Sequence, residues 1–328
     1  MTRVLVTGAA GMIGRKLAAL IAADGVLAGQ PVTHLALADV LMPEKPAGAA
    51  VPVSAVPADI ADPSGAARLV ADRPQFIFHL AAVVSGEAET DFDRGYSVNL
   101  DGTRNLLEAI RRAGDGYRPR FVFASSIAVF GMPFPPAIGD EFLSAPLTSY
   151  GTQKAMCELL LSDYTRRGFI DGVGIRLPTI CVRPGKPNRA ASGFFSSIIR
   201  EPLAGQEAVL PVPDTVRHWH ASPRAAVRFL IHAAQLDGVA IGPRRNLSMP
   251  GLSVTVAEQI EALRRVAGET VAARIRREPD PAVIRIVGGW PERFDPQRAL
   301  ALGFRAEKTF DEIIRIHIED ELGGEWVR

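Results

Sequence analysis

Val4-Leu5-Val6-Thr7-Gly8-Ala9-Ala10-Gly11-Met12-Ile13-Gly14, continued by Arg15-Lys16-Leu17-Ala18-Ala19-Leu20-Ile21, is a short apolar run that passes through a glycine-rich turn into a segment of helical character. In such a turn Gly8 permits the tight bend, Gly11 lets the backbone approach a pyrophosphate at the helix N-terminus, and Gly14 allows helix and strand to pack closely. Met12 and Ile13 fall between them and join the expected cofactor-lining residues. The spacing is GxxGxxG, not the GxGxxG of ordinary dinucleotide-binding dehydrogenases.

Outward from this turn, short runs rich in Val, Ile, Leu and Phe alternate with longer amphipathic ones, the pattern of a parallel sheet covered by helices on both faces. Strands are expected near 3–7, 33–38, 52–56, 76–80, 120–124 and 172–177, and helices near 12–24, 64–72, 97–113 and 149–167. Each strand is short and almost wholly apolar, so each is expected to be central and buried on both sides. The fold expected is α/β, a Rossmann-type doubly wound parallel sheet, with a smaller mixed α/β substrate lobe in the C-terminal half. Residues 1–178 read as the nucleotide-binding domain, joined by a return segment of about 217–243 with a helix near 222–236. The loop Arg183-Pro184-Gly185-Lys186-Pro187-Asn188 opens the smaller lobe, which takes 179–216 and 244–328.

The chain has 328 residues, 47% of them hydrophobic, enough to bury a sizeable core in about two domains. Thirty-seven basic against 36 acidic residues leave +1, so no broad field draws nucleic acid or an anionic membrane, and neither is an expected partner. No apolar run approaches the roughly 20 residues of a spanning helix, and Met1-Thr2-Arg3 leads straight into a strand. The expected location is cytoplasmic. Cys157 and Cys181 lack metal-ligand spacing and read as plain buried thiols; no metal site is expected.

Asp39 closes the second strand, about 25 residues past Gly14, where a carboxylate can accept hydrogen bonds from an adenosine ribose. It would repel a 2'-phosphate, which favours NAD over NADP. Asp59, followed by Ile60, is placed to accept from an adenine amino group. The small residues of His79-Leu80-Ala81-Ala82, with Leu80, let a cofactor lie against the backbone. Tyr150 and Lys154 stand four apart, on one face of a helix. A tyrosine ordinarily titrates near 10, so a fixed ammonium that favours the phenolate is what a base at neutral pH requires. The run Phe121-Val122-Phe123-Ala124-Ser125-Ser126-Ile127 ends a strand in hydroxyls about 25 residues before the tyrosine.

Glycine turn, strand-end Asp, HLAA, serine strand and YxxxK, in that order, resemble the extended short-chain dehydrogenase/reductase superfamily, in which the nucleotide-sugar epimerases and dehydratases lie. The resemblance covers the whole chain. It implies NAD as cofactor, Tyr150 as general base or acid, Lys154 as the ribose ligand that lowers the tyrosine pKa, and Ser126 as partner of the reacting oxygen. Ser125 is then the serine that faces the nicotinamide, Asn99 lies near the cofactor pocket and Pro178 packs on the nicotinamide ring. Helices 97–113 and 149–167 are the pair through which such proteins commonly dimerise. Leu106, Leu107, Leu159, Leu160 and Leu161 there exceed what one core-facing stripe needs, so a homodimer is expected.

Two departures bear on the substrate. The RxxN that holds donor phosphates in nucleotide-sugar enzymes is here Arg176-Leu177-Pro178-Thr179, and the later Arg-Asp-aromatic pattern is Arg217-His218-Trp219. Arg217 suits a carboxylate as well as a phosphate. Ser85, in a loop over Val83–Glu89 after the HLAA turn, is expected to border the reacting carbon, with Thr179 and Arg183 among the substrate contacts. Together these resemble a branch acting on small sugar acids, implying oxidation of the C2 hydroxyl of D-erythronate to 2-dehydro-D-erythronate. The alternatives are a nucleotide-sugar epimerase or dehydratase with tightly bound NAD, and a non-catalytic NAD-sensing protein. His218 and His220 read either as substrate ligands, as a pH-sensitive pair, or as interior or surface histidines.

Overall fold

The computed structural model describes residues 2–185 and 191–327, so the expected loop at 183–188 leaves the described residues after Gly185. The chain divides into two compact units, Met1–Val129 with Pro146–Arg176 and Val227–Ser248, and Phe130–Ala145 with Leu177–Ala226 and Met249–Arg328. Residues 130–145 fall in the second unit, unlike the expected boundary, because Ile138–Gly139 pairs with Phe294–Asp295. Residues 246–248 fall in the first, as a strand beside 171–177.

The first unit is built from β1 (Thr2–Thr7), α1 (Met12–Asp24), β2 (Gln30–Asp39), β3 (Val53–Pro57), α2 (Pro63–Val70), β4 (Phe76–His79), α3 (Ser85–Thr90), α4 (Gly102–Ala113), β5 (Arg120–Ser126), α5 (Ser149–Arg166), β6 (Asp171–Leu177) and β7 (Asn246–Ser248). Their order across the sheet is β3-β2-β1-β4-β5-β6-β7, with Val26–Leu27 antiparallel to the start of β2. β1 runs parallel to both β2 and β4, so the strand order reverses on either side of it. That is a topological switch point, where open α/β sheets leave a crevice beyond the strand ends. Thr7 stands opposite Ala38 and His79, which brings the glycine turn, the end of β2 and the HLAA segment to one edge.

The apolar runs are strands because both faces are covered. Leu5, Ile77, Phe121 and Phe123 pack with Leu106, Leu107 and Ile110 of α4 and Cys157 and Leu161 of α5. Two expectations change here. β3 is an edge strand, half-buried to exposed, because among the described residues it pairs only with β2. Leu106, Leu107 and Leu161, counted toward a dimer face, are at most 1% exposed within the chain's own core, while Leu159 is 72% exposed. The helix expected over 97–113 begins as a π-helix, Tyr96–Asp101, before continuing as α4.

In the second unit, Arg217–Ala221 pairs antiparallel with Leu252–Thr255 and parallel with Thr179–Ile180. Its core gathers Cys181, Val182, Phe195, Ile198, Leu263 and Ile314. Cys157 and Cys181 are both free and buried. Among the described residues no helix is long and apolar enough to cross a membrane.

Candidate active site

Gly8 has φ +75°, and a Cβ there would stand 2.5 Å from the Ala81 backbone nitrogen. Gly14 has no room either, since its Cβ would lie 2.2 Å from the Gly8 oxygen. Thus the turn is pressed against Leu80-Ala81 on one side and folded onto α1 on the other, as glycine alone allows. α1 starts at Gly11 with no side-chain cap and no acidic residue in its first turn, leaving the amides of Met12 and Ile13 open to an anion. Asp39 accepts from the Ala10 amide at 3.0 Å, so its carboxylate is held at the turn itself. Asp59 is exposed and accepts from Ala61 N, whereas the Ile60 side chain is buried against Gly102.

Tyr150 and Lys154 share a face of α5, with the ammonium 5.8 Å from the phenol ring centroid. Thr148 caps that helix through the Gly151 amide. A Cβ on Gly151 would sit 2.1 Å from the Ala128 carbonyl, two residues past Ser126. A glycine in the first turn costs helix propensity, and the return is this close seat of Tyr150's helix on the serine strand's exit. Ser126 Oγ accepts from Ala128 N at 3.1 Å. Lys154 is buried; its Nζ donates to the Ala124 carbonyl at 2.9 Å and lies 4.7 Å from the Phe123 ring centroid. Burial pulls its pKa down to about 8, against the opposing pull of Cys157 and Glu158.

A buried polar chain ties these parts together. His79 Nδ1 meets Thr7 Oγ1 and its Nε2 meets Thr103 Oγ1, both at 2.8 Å. Thr103 gives its own proton to the Asn99 carbonyl, so it accepts from Nε2–H, and Nδ1 accepts from Thr7. His79 is therefore neutral, its pKa held near 3 by burial and by Lys154. The Asn99 side chain lies inside this core. It accepts from Val83 N and donates to Val83 O and to Gln153 on α5. Ser125 also turns inward, donating to Glu158 at 2.5 Å. Ser85 opens a helix, Ser85–Thr90, where a loop was expected. Leu80, Ala81 and Ala82 are half-buried at the sheet edge.

The remaining expected residues lie in the second unit. Pro178 is buried and Thr179 half-buried. His218 gives Nδ1–H to the Pro291 carbonyl at 3.0 Å, so its Nε2 takes the Thr179 proton at 2.7 Å. Thr179 then has only lone pairs left to offer. Arg183 donates to Ile180 O and Ser192. Arg217, partly exposed, donates to Ser253 O at 2.8 Å and pairs with Glu258 at 3.3 Å. His218 and His220 are interior: burial pushes His218 to about 4 and His220 well below its ordinary 6.5. Neither carries charge at neutral pH, which removes the pH-sensitive reading for that range.

Gly151, Gln153, Thr103 and Glu158 were not singled out from the sequence, and Arg176 entered only as the first residue of the RxxN comparison. Glu158 could have been found, because it lies four residues beyond Lys154 on the same helical face.

The sequence pattern of the NAD dependent epimerase/dehydratase family matches residues 4–235. The chain belongs to that family. It is an NAD-dependent oxidoreductase of the extended short-chain type. Over 321 residues, 97% of this chain and 98% of the relative, it is 51% identical to a Cupriavidus necator protein named D-erythronate dehydrogenase. A Haemophilus influenzae protein of the same name is 42% identical over 98% of this chain and all of its own length. A crystal structure from Agrobacterium tumefaciens, described as a nucleoside-diphosphate-sugar epimerase, is 64% identical and superposes with a TM-score of 0.97 over 99% of this chain and 95% of that one.

Proposed function

We propose that the chain oxidises the C2 hydroxyl of a small sugar acid, D-erythronate foremost, to the 2-keto acid with reduction of NAD. The observation that carries this reading is the Tyr150–Lys154 pair, one helical turn apart on α5, whose Gly151 seats against Ala128, two residues past Ser126. The names of two relatives matched over nearly their whole length, both D-erythronate dehydrogenase, support the choice of substrate.

The turn fits a dinucleotide: a Cβ on the exposed Gly11 would meet only the Gly8 oxygen, at 3.3 Å, so that side of the turn is open, and the α1 N-terminus beside it has no side-chain cap. Gly8, Gly11, Met12, Ile13 and Gly14 would hold the pyrophosphate, Asp39 the adenosine ribose, and Asp59 the adenine. NAD, when bound, supplies the hydride acceptor. Tyr150, as phenolate, takes the C2 hydroxyl proton while that carbon gives up its hydride, and the C–O bond becomes a carbonyl. The Lys154 ammonium favours the phenolate by charge, and its fixed contact with Ala124 O keeps it in place. Ser126 donates to the reacting oxygen, with Ser85 on the adjoining helix as a further hydroxyl. Arg217 is the candidate for the carboxylate, since its present partners are themselves a carbonyl and a carboxylate.

A second reading, nucleotide-sugar epimerisation, is favoured by the description of the Agrobacterium structure. Against it stands Thr179 where the phosphate-binding amide of such enzymes is expected. An epimerase returns its hydride, so the two differ in net NADH. Purified protein with NAD is expected to build up NADH with four-carbon sugar acids and none with nucleotide sugars. Conversion of a nucleotide sugar to its epimer without net NADH, and no NADH from any sugar acid, would reverse the assignment.

A further inference from the structure

Glu158 is 3% exposed, one turn beyond Lys154 on α5. A buried carboxylate needs partners, and two are present. Arg176 of β6 meets it with Nε, 2.9 Å from Oε1 and 3.1 Å from Oε2, and with Nη2, 2.7 Å from Oε2. The Ser125 hydroxyl donates to Oε1 at 2.5 Å. One residue earlier on β5, the Ala124 carbonyl receives Lys154, whose Nζ also lies over Phe123. So Phe123, Ala124 and Ser125, the three residues before Ser126, are each gripped from α5.

We propose that Glu158 and Arg176 are positioning residues for proton transfer: Glu158 fixes the end of β5 through Ser125, so that the Ser126 hydroxyl and the Ala124 carbonyl stand where the reaction needs them, and Arg176 fixes Glu158. Both act through other residues. The inference rests on the reading that Ser126, Tyr150 and Lys154 move the proton.

The pair also sets a charge balance. Around Lys154 stand Tyr150, Cys157 and Glu158 on its own helix and His79 on β4, the last neutral, with Ser125 of β5 and Arg176 of β6 on Glu158. Glu158→Gln leaves the Arg176 charge unbalanced, which eases proton loss from Lys154 and Tyr150 alike and moves both limbs of the pH–rate profile to lower pH. Arg176→Met leaves the carboxylate unbalanced and moves both limbs higher. A unit charge a few ångströms away in a partly screened site shifts a pKa by roughly one unit. Opposite signs would show that the two side chains act on Lys154 as charges, and the loss of kcat at unchanged NAD affinity reports the positioning.

The test compares the wild-type holoenzyme with Glu158→Gln, Arg176→Met, the double variant and Ser125→Ala. NAD affinity and the pH dependence of NADH formation are measured for each. In the cofactor-free proteins the Lys154 titration is followed by NMR of labelled lysine side chains. Expected are kcat losses of about tenfold or more in the single variants with NAD affinity within about threefold, characteristic of groups that orient the reacting ones. Lys154 should titrate about one unit lower in Glu158→Gln, about one unit higher in Arg176→Met, and near wild type in the double variant. Ser125→Ala should lose turnover without moving the limbs. Lysine titrations that coincide in all variants, or move in the same direction, would overturn the proposal. If Glu158→Gln does not fold, Arg176→Met and the double variant decide it. Wild-type protein inert to every sugar acid would count against the functional reading alone, because the lysine titration needs no substrate.

Discussion

Around the glycine turn and around the strand Arg217–Ala221 the chain buries polar groups in different ways. In the first region buried polar side chains are joined by hydrogen bonds to one another and to backbone: Thr7 to His79 to Thr103, Asn99 to Val83, Ser125 to Glu158. In the second, polar groups are enclosed by rings. His218 stacks on Phe195 at 5.3 Å and lies beside Trp290, and His220 meets Phe195 and Phe310 edge-on. The first arrangement ties the reactive groups of α5 and β5 into one network; the second keeps two uncharged imidazoles among rings, with Arg217 as the cation at the start of the strand.

The comparison is broken most sharply at the turn. Gly8→Ala places a methyl within 2.5 Å of backbone in a left-handed conformation, and titration calorimetry should show NAD affinity lowered about a hundredfold or more. Unchanged affinity would mean the turn does not carry the cofactor.

Acid stability probes both regions through their histidines. His79, His218 and His220 have pKa values below their ordinary 6.5, so the unfolded chain binds more protons than the folded one between those values. Their contribution is therefore full above about 6.5 and is lost as pH falls, by up to about 1.4 kcal/mol per pH unit for each. Urea midpoints should fall steadily between neutral pH and pH 5. Midpoints independent of pH across that range would show the histidines to be hydrated.

Asp39→Ala should narrow the preference for NAD over NADP about tenfold, measured as the ratio of the two kcat/KM values. Arg217→Ala removes a part-exposed ion pair, so stability should change by less than about 1 kcal/mol while KM for the acid rises severalfold. A stability loss without a KM effect would make Arg217 a structural residue.

Local patterns were readable where one motif decides one contact. The helix over Met12–Asp24 and the pairing of Tyr150 with Lys154 follow from spacing alone, and the apolar runs became the strands around them. What stayed hidden depends on neighbours distant in sequence. β3 reads like its companions but lies at an edge, because among the described residues no further strand pairs with it. Leu106, Leu107 and Leu161 look surplus to one stripe until β1, β4 and β5 are placed beneath them. Gly151 reads as a weak helix residue until Ala128 stands against it. Arg217 reads as a candidate to meet an anion and His218 as a substrate ligand, one of a pH-sensitive pair or an interior or surface histidine; each also meets protein partners.

Stopped-flow turnover of Tyr150→Phe, with NAD affinity titrated on the same sample, tests the proton-transfer pair most directly. Turnover with the sugar acid should fall by about a thousandfold while NAD affinity stays within about threefold, since only the hydroxyl that takes the proton is removed. Turnover within tenfold of wild type would show that some other group takes the proton.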